Sequence, residues 1–120
     1  MRYVFEVPGV LPTLNEYVNC ERANRYAAAS LKKSVQGRIR ECLVRAPEFK
    51  GHVTVEITWI RPNARSDKDN VAFAKKFILD ALQEAGVIKK DSWKLCTPYD
   101  VGFMVNRQRP RTVVCVEGDA

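Results

Sequence analysis

Within positions 52–60, polar and apolar residues alternate from His52 to Trp59, and this pattern most constrains the fold. Val53, Val55, Ile57 and Trp59 fall at every second position, with two threonines and a glutamate between them. A period of two predicts a β-strand with one face buried in a core. The chain therefore needs further strands beside this one and a second layer that covers its apolar face.

Extended and helical patterns surround this strand in a fixed order. The sequence predicts strands at 2–7, 52–60, near 100–106 and at 112–117, an ordered loop over 8–22, and helices at about 23–45 and 69–85. Gly86 follows the second helix in the position that favours a left-handed residue. The order β-α-β-α-β-β predicts one α/β domain over residues 1–120, an α+β two-layer fold with two main helices on a small mixed sheet. The last two strands are predicted to pair as a hairpin.

Charge and composition narrow the classes of function. Twenty Lys and Arg against 14 Asp and Glu give a net charge of +6, which is typical of a protein with polyanionic partners, nucleic acid first. No apolar run reaches the roughly 18 residues of a membrane span, and no apolar leader follows a basic start. We therefore expect a cytoplasmic protein with no membrane partner.

The four cysteines form no CxxC pair and the only histidine, His52, is distant from them, so the sequence predicts neither a zinc site nor histidine catalysis.

Two aspartates, Asp67 and Asp69, stand two residues apart before the second predicted helix. In an extended segment both carboxylates project the same way and can share a hard cation. Mg²⁺ suits such a pair because it prefers oxygen ligands, and it can activate water against a phosphodiester. Lys76 falls on the same helical stripe as Asp69 and Asp80, where its ammonium can stabilise charge that develops on the phosphate.

A structural role explains the same residues without any metal. An Asp-x-Asp at a helix start is commonly an N-cap that also interacts with the helix dipole. Lys76 and Asp80, four residues apart, are typical of a pair on a solvated helix face. Spacing alone favours this structural interpretation.

Longer segments around these residues resemble the RusA-like Holliday junction resolvases. The shared features are Asp67-Lys68-Asp69-Asn70, the helix end Lys76-Phe77-Ile78-Leu79-Asp80-Ala81-Leu82, the segment 85–91, and more weakly Leu14-Asn15-Glu16-Tyr17. The resemblance covers most of the chain and is strongest from 65 to 94. It implies a Mg²⁺-dependent endodeoxyribonuclease, with Mn²⁺ as a substitute, that resolves four-way DNA junctions by paired symmetric nicks in recombination and repair. It also implies an intertwined homodimer in a bacterial host cell, encoded by the chromosome or by a prophage.

The resemblance assigns roles to individual residues. It implies that Asp67, Asp69 and Asp91 are catalytic and hold the metal, and that Lys76 is the essential lysine. The spacing from the Asp-Asn pair to this lysine is about three residues longer than in the family, nearly one helical turn, so Lys75 is the alternative. Lys90 stands where the family often has an acidic residue.

The position of Asp91 suggests that one chain does not complete the site. A helix from Asp69 to Gly86 is about 25 Å long, and the five residues to Asp91 return at most about 17 Å. A site within one chain is only just reachable, so we expect Asp91 to complete the site of a partner chain in a two-fold dimer. Such a dimer suits a junction that is itself nearly two-fold symmetric. Phe73, on the polar helix stripe, is expected to pack against the partner.

Several polar side chains are candidates for binding DNA phosphates. They are Arg65, Lys68, Lys75, Lys89, Lys90, Asn15 and Arg25.

Two other functions fit the residues of the predicted site. One is a metal nuclease that acts on flap or linear DNA, although its only (D/E)xK signal, Glu48-Phe49-Lys50, lies in a predicted turn. The other is a non-catalytic DNA-binding protein in which the acidic residues only cap and pair.

Overall fold

The computed structural model describes residues 1–119 and gives this part of the chain a four-stranded mixed sheet with helices packed on one face. The elements in chain order are β1 (Arg2–Pro8), α1 (Leu14–Ala23), α2 (Arg25–Glu41), β2 (Val53–Arg61), α3 (Lys68–Ala72), α4 (Lys75–Glu84), β3 (Cys96–Val105) and β4 (Arg111–Gly118). The strand order is β1-β4-β2-β3. Strand β4 is antiparallel to both of its neighbours, whereas β2 and β3 are parallel. The α+β class with a mixed sheet is therefore confirmed.

One apolar core joins the sheet to the helices. The alternating residues of β2, from Val53 to Trp59, are at most 2% exposed and form the centre of this core. The helices contribute Val35, Ile39, Phe77, Ile78 and Leu82. Each large apolar side chain contributes roughly 1.5–3 kcal/mol on burial, so this contact holds the two layers together. None of the helices within residues 1–119 has the length and apolar character that crossing a bilayer requires.

Residues 14–23 form helix α1, so the loop predicted over 8–22 is confirmed for residues 9–13 and was wrong from residue 14 onwards. Thr13 is the N-cap, and its hydroxyl oxygen accepts a hydrogen bond from the backbone N–H of Glu16 at 3.3 Å. The hydroxyl also donates to the Glu16 carboxylate at 3.3 Å. This Thr-x-x-Glu pattern is a capping box, a recognised signal for a helix start. The two prolines and the glycine that favoured a loop all precede it.

The helix predicted over 69–85 is divided into α3 and α4. At the break, the backbone N–H groups of Ala74 and Lys76 donate to carbonyls three residues earlier, rather than four. The tighter turn changes the helical phase, and Phe73 packs against Tyr17 and Phe77 with ring centroids 5.4 and 5.7 Å away. Phe73 therefore belongs to an aromatic cluster of its own chain and is partly buried there, while its packing against a partner stays a prediction.

Strands β3 and β4 do not form the predicted hairpin, because β2 lies between them. The connection over 106–110 crosses the end of β2, and the side-chain oxygen of Asn106 closes it by accepting from the N–H groups of Gln108 and Arg109 at 3.2 and 3.0 Å. Three consecutive residues of β4, 114–116, are buried, which suits a strand inside the sheet. Strand β3 is consequently an edge strand.

Gly118 lies where the end of β4 packs closely against the start of β2. A Cβ atom at this position would lie 2.7 Å from the backbone oxygen of His52 and 3.0 Å from Cγ1 of Val53. We expect Gly118→Ala to lower the free energy of unfolding by about 1–3 kcal/mol, because backbone must move to relieve the overlap.

Gly37→Ala in α2 is the matched control, since no atom lies within 4 Å of its added Cβ. We expect this change to raise the free energy of unfolding by about 0.5–1 kcal/mol, through the better helix propensity of alanine. Urea denaturation measures both variants. Equal effects of the two substitutions would contradict the packing described for Gly118.

Candidate metal centre and nucleic-acid interface

A cleft of about 650 Å³ opens at the edge of the sheet where both parallel strands end. Its lining includes Arg61 at the end of β2, Val105 at the end of β3, and the segment Ser66–Asp69 that leads into α3. We call this the aspartate cleft. In sheets with parallel strands, ligands commonly bind outside the carboxyl ends of those strands. Both aspartates of the Asp-x-Asp pair therefore lie at a position that favours a ligand.

The carboxylate of Asp67 is not used as a helix cap. Asp67 occupies the N-cap position of α3 with an extended backbone, φ −63° and ψ 154°, yet its side chain makes no capping hydrogen bond. Its backbone carbonyl accepts a hydrogen bond from the N–H of Val71 at 3.0 Å. Both Asp67 and Asp69 are exposed, and neither enters an ion pair within residues 1–119. The N-cap interpretation thus does not account for the Asp67 side chain.

Two basic residues line the same cleft as the two aspartates. Lys68 stands between them in sequence and lines the cleft, with its ammonium 5.6 Å from the ring centroid of Phe103. Arg61 lines the same cleft, and its guanidinium donates to the backbone oxygen of Leu11 at 3.3 Å. Two carboxylates can hold a hard cation while an adjacent ammonium binds a phosphate oxygen, so the cleft suits a metal–phosphate ligand.

The two candidate lysines of α4 have different surroundings. The Lys75 ammonium donates to Asp100 at 2.7 Å, and the other oxygen of Asp100 accepts from the indole N–H of Trp59 at 2.9 Å. Lys75 is thus held in a partly buried network over the centre of the sheet. Lys76 is exposed and enters no ion pair within residues 1–119. Its expected partner Asp80 instead lies 3.6 Å from Lys32.

Asp91 lies at the opposite end of β3 from the aspartate cleft. Its backbone N–H donates to the side-chain oxygen of Gln83 at 3.3 Å. Asp91 precedes Cys96, the first residue of β3, by five residues, and so lies near the start of this strand. Burial raises the pKa of the Cys96 thiol, and the Asp91 carboxylate adds to that rise. The cleft is lined by the last residues of this strand, about 30 Å away for ten residues at 3.3 Å each.

One chain therefore does not unite the three predicted metal ligands. In the part of the chain that the structure describes, no three His, Cys, Asp or Glu side chains are grouped closely enough to hold a metal ion. Asp67 and Asp69 share the cleft, and Asp91 does not reach it. The estimate from helix length left a site within one chain just reachable. In this fold, Asp91 of the same chain does not complete the site.

The remaining DNA-binding candidates fall into two groups. Asn15 lies at the cleft end, because its backbone N–H donates to the side-chain oxygen of Asn70 at 3.0 Å and so joins α1 to α3. Arg65 is exposed in the loop before Asp67. Neither Asn15 nor Arg65 is itself part of the cleft lining. The other candidates also lie outside it: Lys89 and Lys90 precede Asp91, and Arg25 at the start of α2 stacks on Tyr26 with 5.2 Å to the ring centroid.

Sequence interpretation missed the contribution of β3 to the cleft. Phe103, Met104 and Val105 line it, although they are more than 30 residues from Asp69 in sequence. Only the parallel pairing of β3 with β2 brings these residues to the site, and that pairing leaves no local signal. The role of Asn70 was also missed, although its place directly after the Asp-x-Asp pair could have suggested a supporting contact.

A search of protein-family models and of curated proteins found no match to this chain. The resemblance to RusA-like resolvases therefore stays a prediction that rests on the residues quoted above.

The unused carboxylate of Asp67 leads to a stability prediction. We expect Asp67→Ala to change the free energy of unfolding by less than about 0.5 kcal/mol, because no capping hydrogen bond is lost. Asn24→Ala is the control, since the Asn24 side chain caps α2 by accepting from the N–H of Ala27 at 2.7 Å. Its loss should cost about 1 kcal/mol. Chemical denaturation measures both, and an equal loss for Asp67→Ala would return that residue to a structural role.

Proposed function

We propose that this chain is a Mg²⁺-dependent, structure-selective endodeoxyribonuclease that resolves Holliday junctions by paired symmetric nicks, as a homodimer, in DNA recombination and repair. The observation that carries the proposal is the Asp67–Asp69 pair, two exposed carboxylates without an ion pair in residues 1–119, beside the Lys68 ammonium in an open cleft. The net charge of +6 supports a DNA partner, and the RusA-like segments support the reaction.

The donors in the aspartate cleft fit Mg²⁺. This ion commonly binds through one or two carboxylates and keeps several waters, and Asp67 and Asp69 supply that number. Mn²⁺ accepts the same oxygen ligands. When bound, Mg²⁺ would neutralise charge on the scissile phosphate and lower the pKa of an attacking water. Asp67 and Asp69 would therefore be the residues that hold it.

The basic residues have separate roles in this proposal. Lys68 binds a phosphate oxygen of the scissile group, because it lines the cleft beside both carboxylates. Arg65 and Asn15 position the strand on either side, without reading its sequence. Neither Lys75 nor Lys76 lines the cleft. The RusA-like resemblance assigns charge stabilisation to Lys76, and the pairing of Lys75 with Asp100 favours Lys76 over Lys75 for that role.

The free edge of β3 supports the proposed homodimer. Tyr99, Val101, Met104 and Val105 of this strand are between 50% and 58% exposed, and one side of its backbone is unpaired within residues 1–119. An apolar, unpaired edge favours the addition of another strand. Two copies of β3 related by a two-fold axis would pair antiparallel, which extends the sheet across both chains.

Antiparallel pairing of this kind would also complete the metal site. It places the start of one β3 beside the end of the other, and Asp91 lies near the start while the aspartate cleft lies at the end. Asp91 of the partner subunit would then approach Asp67 and Asp69. Two such sites related by symmetry can make two coordinated nicks in a four-way junction.

Cleavage of defined DNA substrates tests the reaction. We expect symmetric nicks in a synthetic four-way junction with Mg²⁺ or Mn²⁺, and none with chelator or on linear duplex and flap DNA. Asp67→Asn and Asp69→Asn should each lower the rate by about 100-fold or more, the size of effect when one group that stabilises reaction charge is lost. Glu21→Gln, an exposed change on α1, is the control and should leave the rate unchanged.

Other results would select a different function. Cleavage of every substrate would indicate a nuclease of another class, and tight binding without cleavage at any Mg²⁺ concentration would indicate a DNA-binding protein.

Mixed inactive subunits test whether Asp91 acts across the dimer. In a heterodimer of Asp69→Asn and Asp91→Asn chains, one site carries both changes and the other carries neither. We therefore expect mixing to restore single nicks in the junction, at up to about half the number of sites, without paired resolution. Native mass spectrometry confirms that subunits have exchanged. Exchange without any recovery of nicking would show that Asp91 does not act from the partner.

A further inference from the structure

We propose that a second groove, between α2 and α4, binds a phosphate group of the DNA backbone away from the aspartate cleft. The groove has a volume of about 490 Å³ and is lined by Lys32, Lys33, Gln36, Gly37 and Arg40 from α2 and by Glu84 from α4. We call it the basic groove. It shares no lining residue with the aspartate cleft.

A buried amide in this groove needs a hydrogen-bond acceptor. Gln36 is only 7% exposed, and its Nε2 atom has no hydrogen-bond partner among the described residues. A buried donor without a partner costs about 1–3 kcal/mol, and native proteins contain few of them. Gln36 lines the groove, so a rotation of its side-chain amide would turn Nε2 towards a ligand oxygen there, which can supply the missing acceptor.

The charges around Gln36 select a negatively charged acceptor. Lys33, Gln36 and Arg40 are spaced by three and four residues, so they share one face of α2 over about 10 Å. Lys33 and Arg40 enter no ion pair within residues 1–119, whereas Lys32 lies 3.6 Å from Asp80. Glu84 is the one acidic residue of the lining. Two uncompensated cations beside an N–H donor fit a phosphate, which has one negative charge and several acceptor oxygens.

The backbone of α2 also leaves room for a strand. An added Cβ at Gly37, in the middle of the lining, would meet no atom within 4 Å. A phosphate can therefore approach the helix surface closely between the two basic side chains.

The basic groove is close enough to the aspartate cleft for one duplex arm of a DNA junction to contact both. From Asp69 to Glu84 the chain runs 15 residues, or roughly 20 Å when helical. Each phosphate of one strand advances about 3.4 Å along the axis of a duplex, so this length covers about six phosphates. DNA held at the cleft can thus extend to the basic groove. The assignment to DNA rests on the proposed function, whereas the phosphate site rests only on the groove.

Salt dependence of DNA binding tests this second site. The double variant Lys33→Gln with Arg40→Gln should weaken binding to a labelled four-way junction in Ca²⁺ and make the plot of log K against log salt shallower by about 1–2. The control is Lys50→Gln with Arg107→Gln, two exposed basic residues that line neither cavity. It should leave the slope nearly unchanged. Equal slopes for the groove variant and the control would overturn the proposal.

Gln36→Met separates binding from folding. This change removes the unpartnered donor with little change in shape, so we expect the melting temperature to rise while DNA binding weakens. In wild-type protein, the side-chain amide signal of Gln36 should shift in NMR spectra when inorganic phosphate is added, and this shift should be lost in the double variant. No shift with either phosphate or DNA would overturn the site. A shift with phosphate and none with DNA would overturn its assignment to DNA.

The cleavage assay distinguishes failure of this inference from failure of the proposed function. A wild-type protein that binds DNA through the groove but never cuts a junction supports the groove and refutes the nuclease. A protein that cuts junctions, and whose groove variant binds as tightly and with the same salt slope as the control, refutes the groove and supports the nuclease.

Discussion

The parallel pairing of β2 with β3 determines where the three predicted metal ligands lie relative to one another. Because both strands run in the same direction, the loop after β2 and the last residues of β3 meet at one edge of the sheet. Asp67 and Asp69 follow β2 and so come to that edge, while Asp91 precedes β3 and is carried to the other. One topological feature therefore builds the aspartate cleft and also separates it from its predicted third ligand.

The same pairing leaves an apolar edge that a second chain can use. A parallel strand added at the end of a sheet has one unpaired side, and β3 also exposes four large apolar side chains. A two-fold partner that pairs along this edge would bring its own Asp91 near the aspartate cleft, because the start of one β3 strand would lie beside the end of the other. Catalysis and assembly would then depend on one surface, with neither possible in an isolated chain.

Sequence reasoning predicted those parts of the fold that local periodicity encodes. The alternation of β2 and the apolar stripe of α2 through Val35 and Ile39 both lie in the core, and Gly86 has the positive φ of 76° expected after a helix. Long-range pairing has no such signal, which is why the hairpin of β3 and β4 was wrong. Helix α1 was missed although its Thr13 capping box was present, because nearby prolines outweighed it.

For the site, the sequence identified residues that share one cleft, but it did not predict how strand pairing builds that cleft. The Asp-x-Asp pair and the adjacent Lys68 were identified from spacing and resemblance, and they do share a cleft. The contributions of Phe103 and Val105 could not be predicted, since they depend on strand pairing. Nor could spacing distinguish Lys75 from Lys76, because the partner that engages Lys75, Asp100, lies 25 residues away in sequence.

The central claim is that Asp67 and Asp69 of one chain and Asp91 of another bind the same ion. An anomalous difference map from crystals of the full chain grown with Mn²⁺ tests this claim most directly. The account predicts a peak about 2 Å from carboxylate oxygens of Asp67 and Asp69, with Asp91 of the partner subunit beside it. A cleft without a peak, or an ion there with Asp91 of every copy far away, would contradict it.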